Sequence, residues 1–285
     1  MSVPSRPDEP AASALTQLRA QLHTPRSAAR EIAFPPIRNF VLDVMHEGRR
    51  KNIINLVMQA DVDRIVSRLD ELSANESARI SLTCAVTNAL LQALALHPQL
   101  NAYRLGRSRL VIFEDVDLSF TVEREVDGTL LPIPCIVRAA NRKSAAEIHA
   151  ELQAAKTALM GAAGPMSALE KRFFLSPRWL RRIVWFFIRR DPYKFKQLAG
   201  TVGVTSMGMF ARGAAVVQPI TPMTLTLSIG AIENRMVMKD SVPASRAFIH
   251  LNLGADHDII DGAPLMRFAE SFRQCLENSG LPANP

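Results

Sequence analysis

The chain has 285 residues, 48% of them hydrophobic and 21% charged, with a formal charge of +7. This composition is typical of a globular protein and excludes a chain that is disordered or fibrous throughout. The three cysteines lack metal-ligand spacing, and neither a membrane-spanning run nor a signal peptide is present, so we expect a cytoplasmic protein without a disulfide framework or bound metal.

The periodicity of apolar residues predicts alternating helices and strands. In chain order we expect a helix at 38–46, a strand at 53–60, helices at 61–72 and 83–96, strands at 110–113, 118–122 and 133–137, a helix at 144–160, strands at 202–206, 224–229 and 247–253, and a helix at 263–277. The order predicts one mixed α/β domain over residues 31–285, preceded by a flexible arm of residues 1–30.

The basic charge is concentrated in residues 171–196, which hold nine basic side chains and one acid, Asp191. The rest of the chain is close to neutral, which argues against nucleic-acid binding. Residues 172–196 also contain both tryptophans and six other aromatic side chains, a composition typical of an amphipathic interfacial helix. Such a helix could pack on protein, or it could contact anionic lipid or phosphate groups, and the sequence leaves both alternatives open.

The strongest candidate for chemistry is the run from Ala255 to Gly262, placed between a buried strand and a helix. His257 in this run could accept a proton near neutral pH, and Asp261 could anchor the histidine or its loop. From the residues alone, the run could equally be a turn in which aspartate and glycine supply the required backbone geometry.

Several stretches in the same order extend this signal. Besides the His-x-x-x-Asp-Gly motif they are residues 37–38 (IR), 97–102 (HPQLNA), 127–134 (DGTLLPIP) and 204–210 (VTSMGMF). With them the chain resembles the catalytic domain of the dihydrolipoamide acyltransferases of 2-oxo acid dehydrogenase complexes and, more distantly, chloramphenicol acetyltransferase. The resemblance implies a two-layer α/β sandwich with a mixed sheet, assembled as homotrimers with active sites between subunits.

The resemblance also implies acyl transfer between a coenzyme A or lipoamide thioester and a thiol or other small acceptor, with no bound cofactor. His257 would be the general base and Thr205 would stabilise the oxyanion, with Ser206 as its less favoured neighbour. Asp261 would pair with Arg38 to hold the loop, and Gly262 completes the motif. Without the resemblance, Thr205 reads as an ordinary strand residue and Arg38 as a solvated helix charge.

Two departures from the family qualify these expectations. The tripeptide that corresponds to the family's Ile-Pro-His is Lys51-Asn52-Ile53, so a substrate-channel residue is absent. No lipoyl or subunit-binding domain precedes the catalytic part, so we expect a stand-alone acyltransferase. The alternative is a catalytically silent scaffold, or an interaction protein recruited to a membrane through residues 172–196.

Overall fold

A computed structural model describes residues 29–74, 80–126, 129–161, 172–207, 213–239 and 241–278. The chain divides into two compact units, Met1–Pro35 and Pro36–Pro285. In the first unit the described residues, 29–35, form no helix or strand. The predicted arm as far as residue 28, and the motif residues 127–128 and 208–210, lie outside the described residues.

The second unit alternates helices and strands in nearly the predicted order. After a 3₁₀ turn at Pro36–Arg38, the elements are α1 (Asn39–Gly48), β1 (Ile53–Asp61), α2 (Asp63–Ala74), α3 (Leu82–Leu96), β2 (Ala102–Leu105), β3 (Arg109–Ile112), β4 (Leu118–Val126), β5 (Thr129–Val137), α4 (Ala145–Gly161), α5 (Arg178–Ile188), α6 (Pro192–Ala199), β6 (Val202–Ser206), β7 (Leu225–Lys239), β8 (Val242–Asp256) and α7 (Gly262–Glu277).

Six strands form a mixed sheet in the order β1-β8-β7-β6-β4-β5, and β2 and β3 form a separate antiparallel hairpin. Strand β6 runs parallel to both β4 and β7, whereas the other neighbours are antiparallel. Alternate residues of β6, β7 and β8 join the apolar side chains of α3 and α7 in one core on the helix side of the sheet. The predicted two-layer α/β sandwich with a mixed sheet is therefore confirmed.

Local sequence explains where several elements begin. Ser144 and Glu147 form a capping box at the start of α4: the Ser144 backbone N–H donates to the Glu147 carboxylate at 2.7 Å, and the Glu147 N–H donates to Ser144 Oγ at 3.3 Å. Strands β7 and β8 are each longer than predicted and form a long antiparallel pair. Their outer halves lack the apolar run that marked the buried halves.

The basic aromatic segment forms two helices, α5 and α6, rather than one. Asp191 separates them, because its side chain accepts the backbone N–H groups of Tyr193 and Lys194 at the start of α6. Trp185 is only 7% exposed and packs with Tyr103 and Phe195. The segment is thus anchored on the domain by its inner face.

Part of the segment's positive charge is neutralised by acids from elsewhere in the domain. Arg181 is buried and its Nε lies 2.7 Å from Asp43 Oδ2 on α1. Arg189 pairs in the same way with Glu47 at 3.6 Å. The charge that remains for an outside partner is therefore smaller than the sequence count indicates.

Candidate functional site

His257 lies on a short, hydrogen-bonded loop between β8 and α7. Its backbone N–H donates to the Asn52 carbonyl at 2.7 Å, which joins the loop to the chain entering β1. The N–H groups of Ile259 and Ile260 donate to the Asp256 carbonyl at 3.0 and 2.9 Å and close the turn. The second half of β8, residues 249–256, is buried, whereas the His257 side chain is 44% exposed. The fold thus presents an accessible imidazole on a restrained backbone.

An ion pair beneath the loop holds it to the sheet. Asp256 is buried, and its Oδ2 lies 2.5 Å from Nζ of Lys51. Its other oxygen accepts the backbone N–H of Asp258 at 3.2 Å, and Asn52 Nδ2 donates to Asp258 Oδ1 at 2.8 Å. Removing Lys51 would leave the Asp256 carboxylate buried without a cation, which is strongly unfavourable.

Lys51 and Asn52 are site residues that the sequence analysis missed. It treated them only as departures from the family's Ile-Pro-His, whereas both support the backbone on either side of His257. The available signal was Asp256, a carboxylate directly after the apolar alternation of the strand at 247–253. A buried carboxylate needs a partner, and a lysine just before the neighbouring strand is a suitable one.

The carboxylate of Asp261 lies beside the imidazole. Its Oδ1 is 3.5 Å from Nδ1 of His257, and the Asp261 side chain is 82% exposed. Although Asp261 is the N-cap residue of α7, its side chain caps no backbone N–H of the helix. A carboxylate on this side favours the tautomer with hydrogen on Nδ1, which leaves Nε2 free to accept a proton.

The expected ion pair between Asp261 and Arg38 is not formed within the described part of this single chain. Arg38, at the end of the 3₁₀ turn, is half-buried, and no ion pair joins it to Asp261 there. The reason is that the Asp261 carboxylate turns back toward His257 and solvent. At Gly262 the backbone φ is not left-handed, and an added Cβ would meet no atom within 4 Å. Nothing in the structure therefore requires glycine there.

Thr205 and Ser206 point to opposite faces of the sheet, as neighbours on a strand do. Ser206 lies on the helix side, where its Oγ accepts a hydrogen bond from Thr83 Oγ1 at 3.2 Å. Thr205 lies on the other face, in register with Ser228 of β7, which in turn pairs with Asn252 of β8. Ser206 is thus engaged with α3, whereas Thr205 is free of that contact.

A polar row crosses this second face of the sheet beside Thr205. Ser228 and Asn252 are fully buried, and among the described residues Ser228 Oγ and Asn252 Oδ1 have no hydrogen-bond partner. Buried polar atoms without partners are costly and are often found where a ligand or water binds. Polar residues inside the apolar runs of β7 and β8 were the sequence signal for this row.

One chain does not bring Thr205 and His257 together. The register aligns Thr205 with Asn252, and His257 follows Asn252 by five positions. At about 3.3 Å per residue, the two side chains are about 17 Å apart along the strands, with two strand spacings between them as well. Within a single chain, no reacting group can lie about 3 Å from both residues.

Other reactive side chains are less suited to catalysis. Burial raises the pKa of the Cys84 thiol, which disfavours its thiolate. His250 is buried, and both its ring nitrogens are occupied: Nδ1 lies 3.3 Å from Gln59 Nε2 and Nε2 lies 3.2 Å from Glu233 Oε2.

Within the described ranges, no three His, Cys, Asp or Glu side chains cluster as metal ligands would. No helix in those ranges is long and apolar enough to cross a membrane.

The chain matches the model of the family described as 2-oxoacid dehydrogenases acyltransferase (catalytic domain), over residues 26–170 and 191–282. The match omits residues 171–190, which include α5.

Among curated proteins, the chain is 24% identical over 232 residues to the dihydrolipoyllysine-residue acetyltransferase component of the pyruvate dehydrogenase complex of Rickettsia conorii. It is 25% identical over 258 residues to the corresponding component of the acetoin cleaving system of Bacillus subtilis. These alignments cover 79% and 87% of this chain. The chain spans about half the length of these relatives, 48% and 56% respectively.

Solved structures share the fold. A probable dihydrolipoamide acetyltransferase from Listeria monocytogenes superposes with a TM-score of 0.66 at 19% identity, covering 90% of this chain and 98% of that one. The Azotobacter vinelandii dihydrolipoamide acetyltransferase has a TM-score of 0.66 at 14% identity, covering 97% and 98%. The latter was investigated for a serine, a histidine and an asparagine in its catalytic mechanism; there the serine precedes the histidine by 52 positions and the asparagine follows it by four.

Proposed function

Because the chain belongs to the family of 2-oxoacid dehydrogenase acyltransferase catalytic domains, we propose that it transfers an acyl group between a coenzyme A thioester and a thiol acceptor. The observation that carries this proposal is the restrained loop of His257, which exposes an imidazole with a carboxylate 3.5 Å from Nδ1. A thiol is mostly protonated at neutral pH, so a positioned base is what such a transfer requires.

In the proposed reaction, Nε2 of His257 removes the proton from the acceptor thiol. The sulfur attacks the thioester carbonyl carbon, a new C–S bond forms, and the carbonyl oxygen becomes an oxyanion. The intermediate then collapses, the C–S bond to coenzyme A breaks, and the departing thiolate takes the proton back from the imidazolium. No electrons are exchanged with a redox partner, and Asp261 stabilises the transient positive charge on the ring.

Thr205 is proposed as the hydroxyl donor to the oxyanion. Its spacing supports this role, because Thr205 precedes His257 by 52 positions and Asp261 follows His257 by four. The serine, histidine and asparagine investigated in the Azotobacter enzyme have the same spacings. Ser206 is one position too late in the chain to match this spacing. Its hydroxyl also already accepts a hydrogen bond from Thr83. An oxyanion donor of this kind contributes about 3 kcal/mol to transition-state stabilisation.

The active site is proposed to lie between two copies of the chain in a homotrimer. The support is the separation within one subunit, where the register sets Thr205 and His257 about 17 Å apart along the strands. Both groups can act on one carbonyl only if the Thr205 face of one copy meets the His257 loop of another. A closed ring of three copies would then contain three equivalent sites.

The competing hypothesis is a silent scaffold that retains the fold without chemistry. It drew on Lys51 and Asn52 as departures from the family, but both side chains hold the His257 loop in place. Together with the His257–Asp261 contact, this arrangement favours a working enzyme over an inactive one.

A thiol-release assay tests the proposed function. The full chain is incubated with a panel of acyl-coenzyme A donors, first alone and then with dihydrolipoamide or other small thiols. We expect free coenzyme A to appear with the acceptor present, together with an equal amount of acylated acceptor. The absence of acceptor-dependent release across the panel, from a folded oligomeric sample, would refute acyl transfer.

We also propose that the outer face of α5 contacts an anionic membrane surface. This face presents Trp179, 64% exposed, and Phe187, 62% exposed, with Ile183 between them. Arg178, Arg182 and Arg190 are exposed on the same helix or directly after it. Buried apolar area combined with attraction to anionic headgroups is what holds an interfacial helix on a bilayer. The family match leaves out residues 171–190, which include α5.

Vesicle flotation tests this contact. We expect the protein to float with vesicles containing phosphatidylglycerol but not with phosphatidylcholine alone. Replacing Trp179, Ile183 and Phe187 by glutamine should lower the vesicle-bound fraction about tenfold, since each loses apolar burial. A control with glutamine at exposed Met236 and Met238 should float like the wild type. Equal flotation of both variants, or none with the wild type, would exclude membrane contact through α5.

A further inference from the structure

The hairpin of β2 and β3 carries three exposed arginines beside the His257 loop. Arg104 pairs across the hairpin with Leu110, and the turn begins at Gly106, whose φ of +66° favours glycine. Arg107 lies in this turn and Arg109 begins β3. The hairpin contacts the loop through Arg104, whose Nη1 is 3.5 Å from Asp258 Oδ2. The residue after the proposed base is thus linked directly to an arginine cluster.

A cavity of about 440 Å³ lies between the hairpin and this loop. The three arginines and Ser108 line it on one side, and Asp258 and Ile259 line it on the other. Asp258 is already engaged, because it accepts from Asn52 Nδ2 at 2.8 Å and lies close to Arg104. Within the described parts of the chain, neither Arg107 nor Arg109 forms an ion pair. Arg107 and Arg109 therefore line the cavity without an ion-pair partner, whereas the Asp258 carboxylate there is engaged by Arg104 and Asn52.

This arrangement suits phosphate. A guanidinium group presents parallel N–H donors that match two oxygens of a phosphate, and two such groups can share a multiply charged ligand. The cavity is open to solvent, and its lining includes the neighbour of His257, so a ligand there can extend toward the imidazole. A coenzyme A thioester has this shape, with phosphates at one end and a reactive sulfur at the end of a long flexible arm.

We propose that the cavity between the β2–β3 hairpin and the His257 loop binds the phosphate groups of the coenzyme A substrate, with Arg107 and Arg109 as the phosphate-binding residues. Arg104 is a positioning residue, because it holds the hairpin against Asp258. This assignment rests on the proposed acyl transfer for the identity of the ligand. In this proposal the β2–β3 hairpin, and not the basic aromatic helices α5 and α6, binds the nucleotide end of coenzyme A.

Binding of adenosine 3′,5′-bisphosphate, measured by titration calorimetry, tests the site without turnover. The probe carries coenzyme A phosphates but no sulfur. The double variant Arg107→Gln with Arg109→Gln should raise the Kd of the probe about tenfold, since it removes two charge-assisted contacts in a solvent-open site. Arg64→Gln with Arg267→Gln removes the same charge from exposed positions on α2 and α7 and should bind like the wild type.

Kinetics supply a second readout. For the hairpin variant we expect KM for acyl-coenzyme A to rise about tenfold with kcat nearly unchanged, because the lost contacts are the same in the ground and transition states. KM for an acyl-pantetheine, which has no phosphate, should not change. A change in kcat without a change in KM would contradict a phosphate-binding role.

The outcomes separate this proposal from the proposed function. The His257→Ala variant should bind the bisphosphate as tightly as the wild type. If binding depends on Arg107 and Arg109 while no acyl transfer occurs, the site stands and the reaction fails. Equal affinity of the hairpin variant and the charge-matched control would overturn the site even if transfer occurs. So would affinity for inorganic phosphate equal to that for the bisphosphate, which would indicate general attraction of anions only.

Discussion

Replacing His257 by alanine is expected to lower kcat/KM for acyl transfer by about 10²- to 10⁴-fold, the range typical of losing a general base. The thiol would then have to ionise unaided, and only the small thiolate fraction present at neutral pH could attack. The fold should be retained, because the imidazole is 44% exposed and the loop is held by backbone hydrogen bonds and by the Lys51–Asp256 pair.

Release of coenzyme A, followed for the wild type and the variant in parallel, measures this loss. The His46→Ala variant is a suitable control, because it removes a half-buried histidine of α1 outside the loop and should change turnover little. Size-exclusion chromatography and circular dichroism confirm that each variant is assembled and folded. Turnover of His257→Ala within threefold of the wild type would remove His257 from the mechanism.

The periodicity of the sequence predicted the sheet well where burial alone decides the pattern. In β8, Ile249, Leu251 and Leu253 alternate with polar residues because one side faces α3 and α7. The same rule failed for β2, a four-residue strand of the hairpin whose pairing with β3 depends on Gly106 and not on an apolar run. Short strands and outer strand halves are stabilised by their partners, which periodicity does not reveal.

The candidate site, like the sheet, was predicted from the sequence only in part. His257, Asp261 and Thr205 came from a motif and its resemblance to a family, and the first two lie together in the structure. The contacts that support the loop come from Lys51 and Asn52, about 200 positions earlier in the chain. Such pairs form only through the antiparallel register of β1 and β8. Local pattern contains no information about which distant residue will neutralise a buried carboxylate.

The aromatic segment shows how packing revises a helical pattern. The composition predicted an amphipathic helix, but packing against Tyr103 and Phe195 selects which side of the helix is covered. Trp185 and Arg181 turn inward, whereas Trp179 and Phe187 remain exposed. The buried ion pair of Arg181 with Asp43 fixes this orientation, and that partner lies on α1.

Mixing two inactive variants is expected to restore activity if the site is shared between subunits. Thr205→Val removes the hydroxyl with little change in shape and should lower kcat about 10²- to 10³-fold on its own. When it is co-expressed with His257→Ala, an intact site forms wherever the first variant supplies His257 and its neighbour supplies Thr205. Every homotrimer that contains both chains has this combination at one of its three sites, so about a third of wild-type activity should return in the mixed oligomers.

The matched control co-expresses the single variant His257→Ala with a double variant that carries both His257→Ala and Thr205→Val. No interface in that mixture contains an intact His257, so its activity should stay at the level of His257→Ala alone. Two different affinity tags, purified in sequence, ensure that the assayed oligomers contain both chains. Mixed oligomers that show only the mean of the two separate variants would mean that each subunit uses its own residues. The separation set by pairing Thr205 with Ser228, and Ser228 with Asn252, argues against that result.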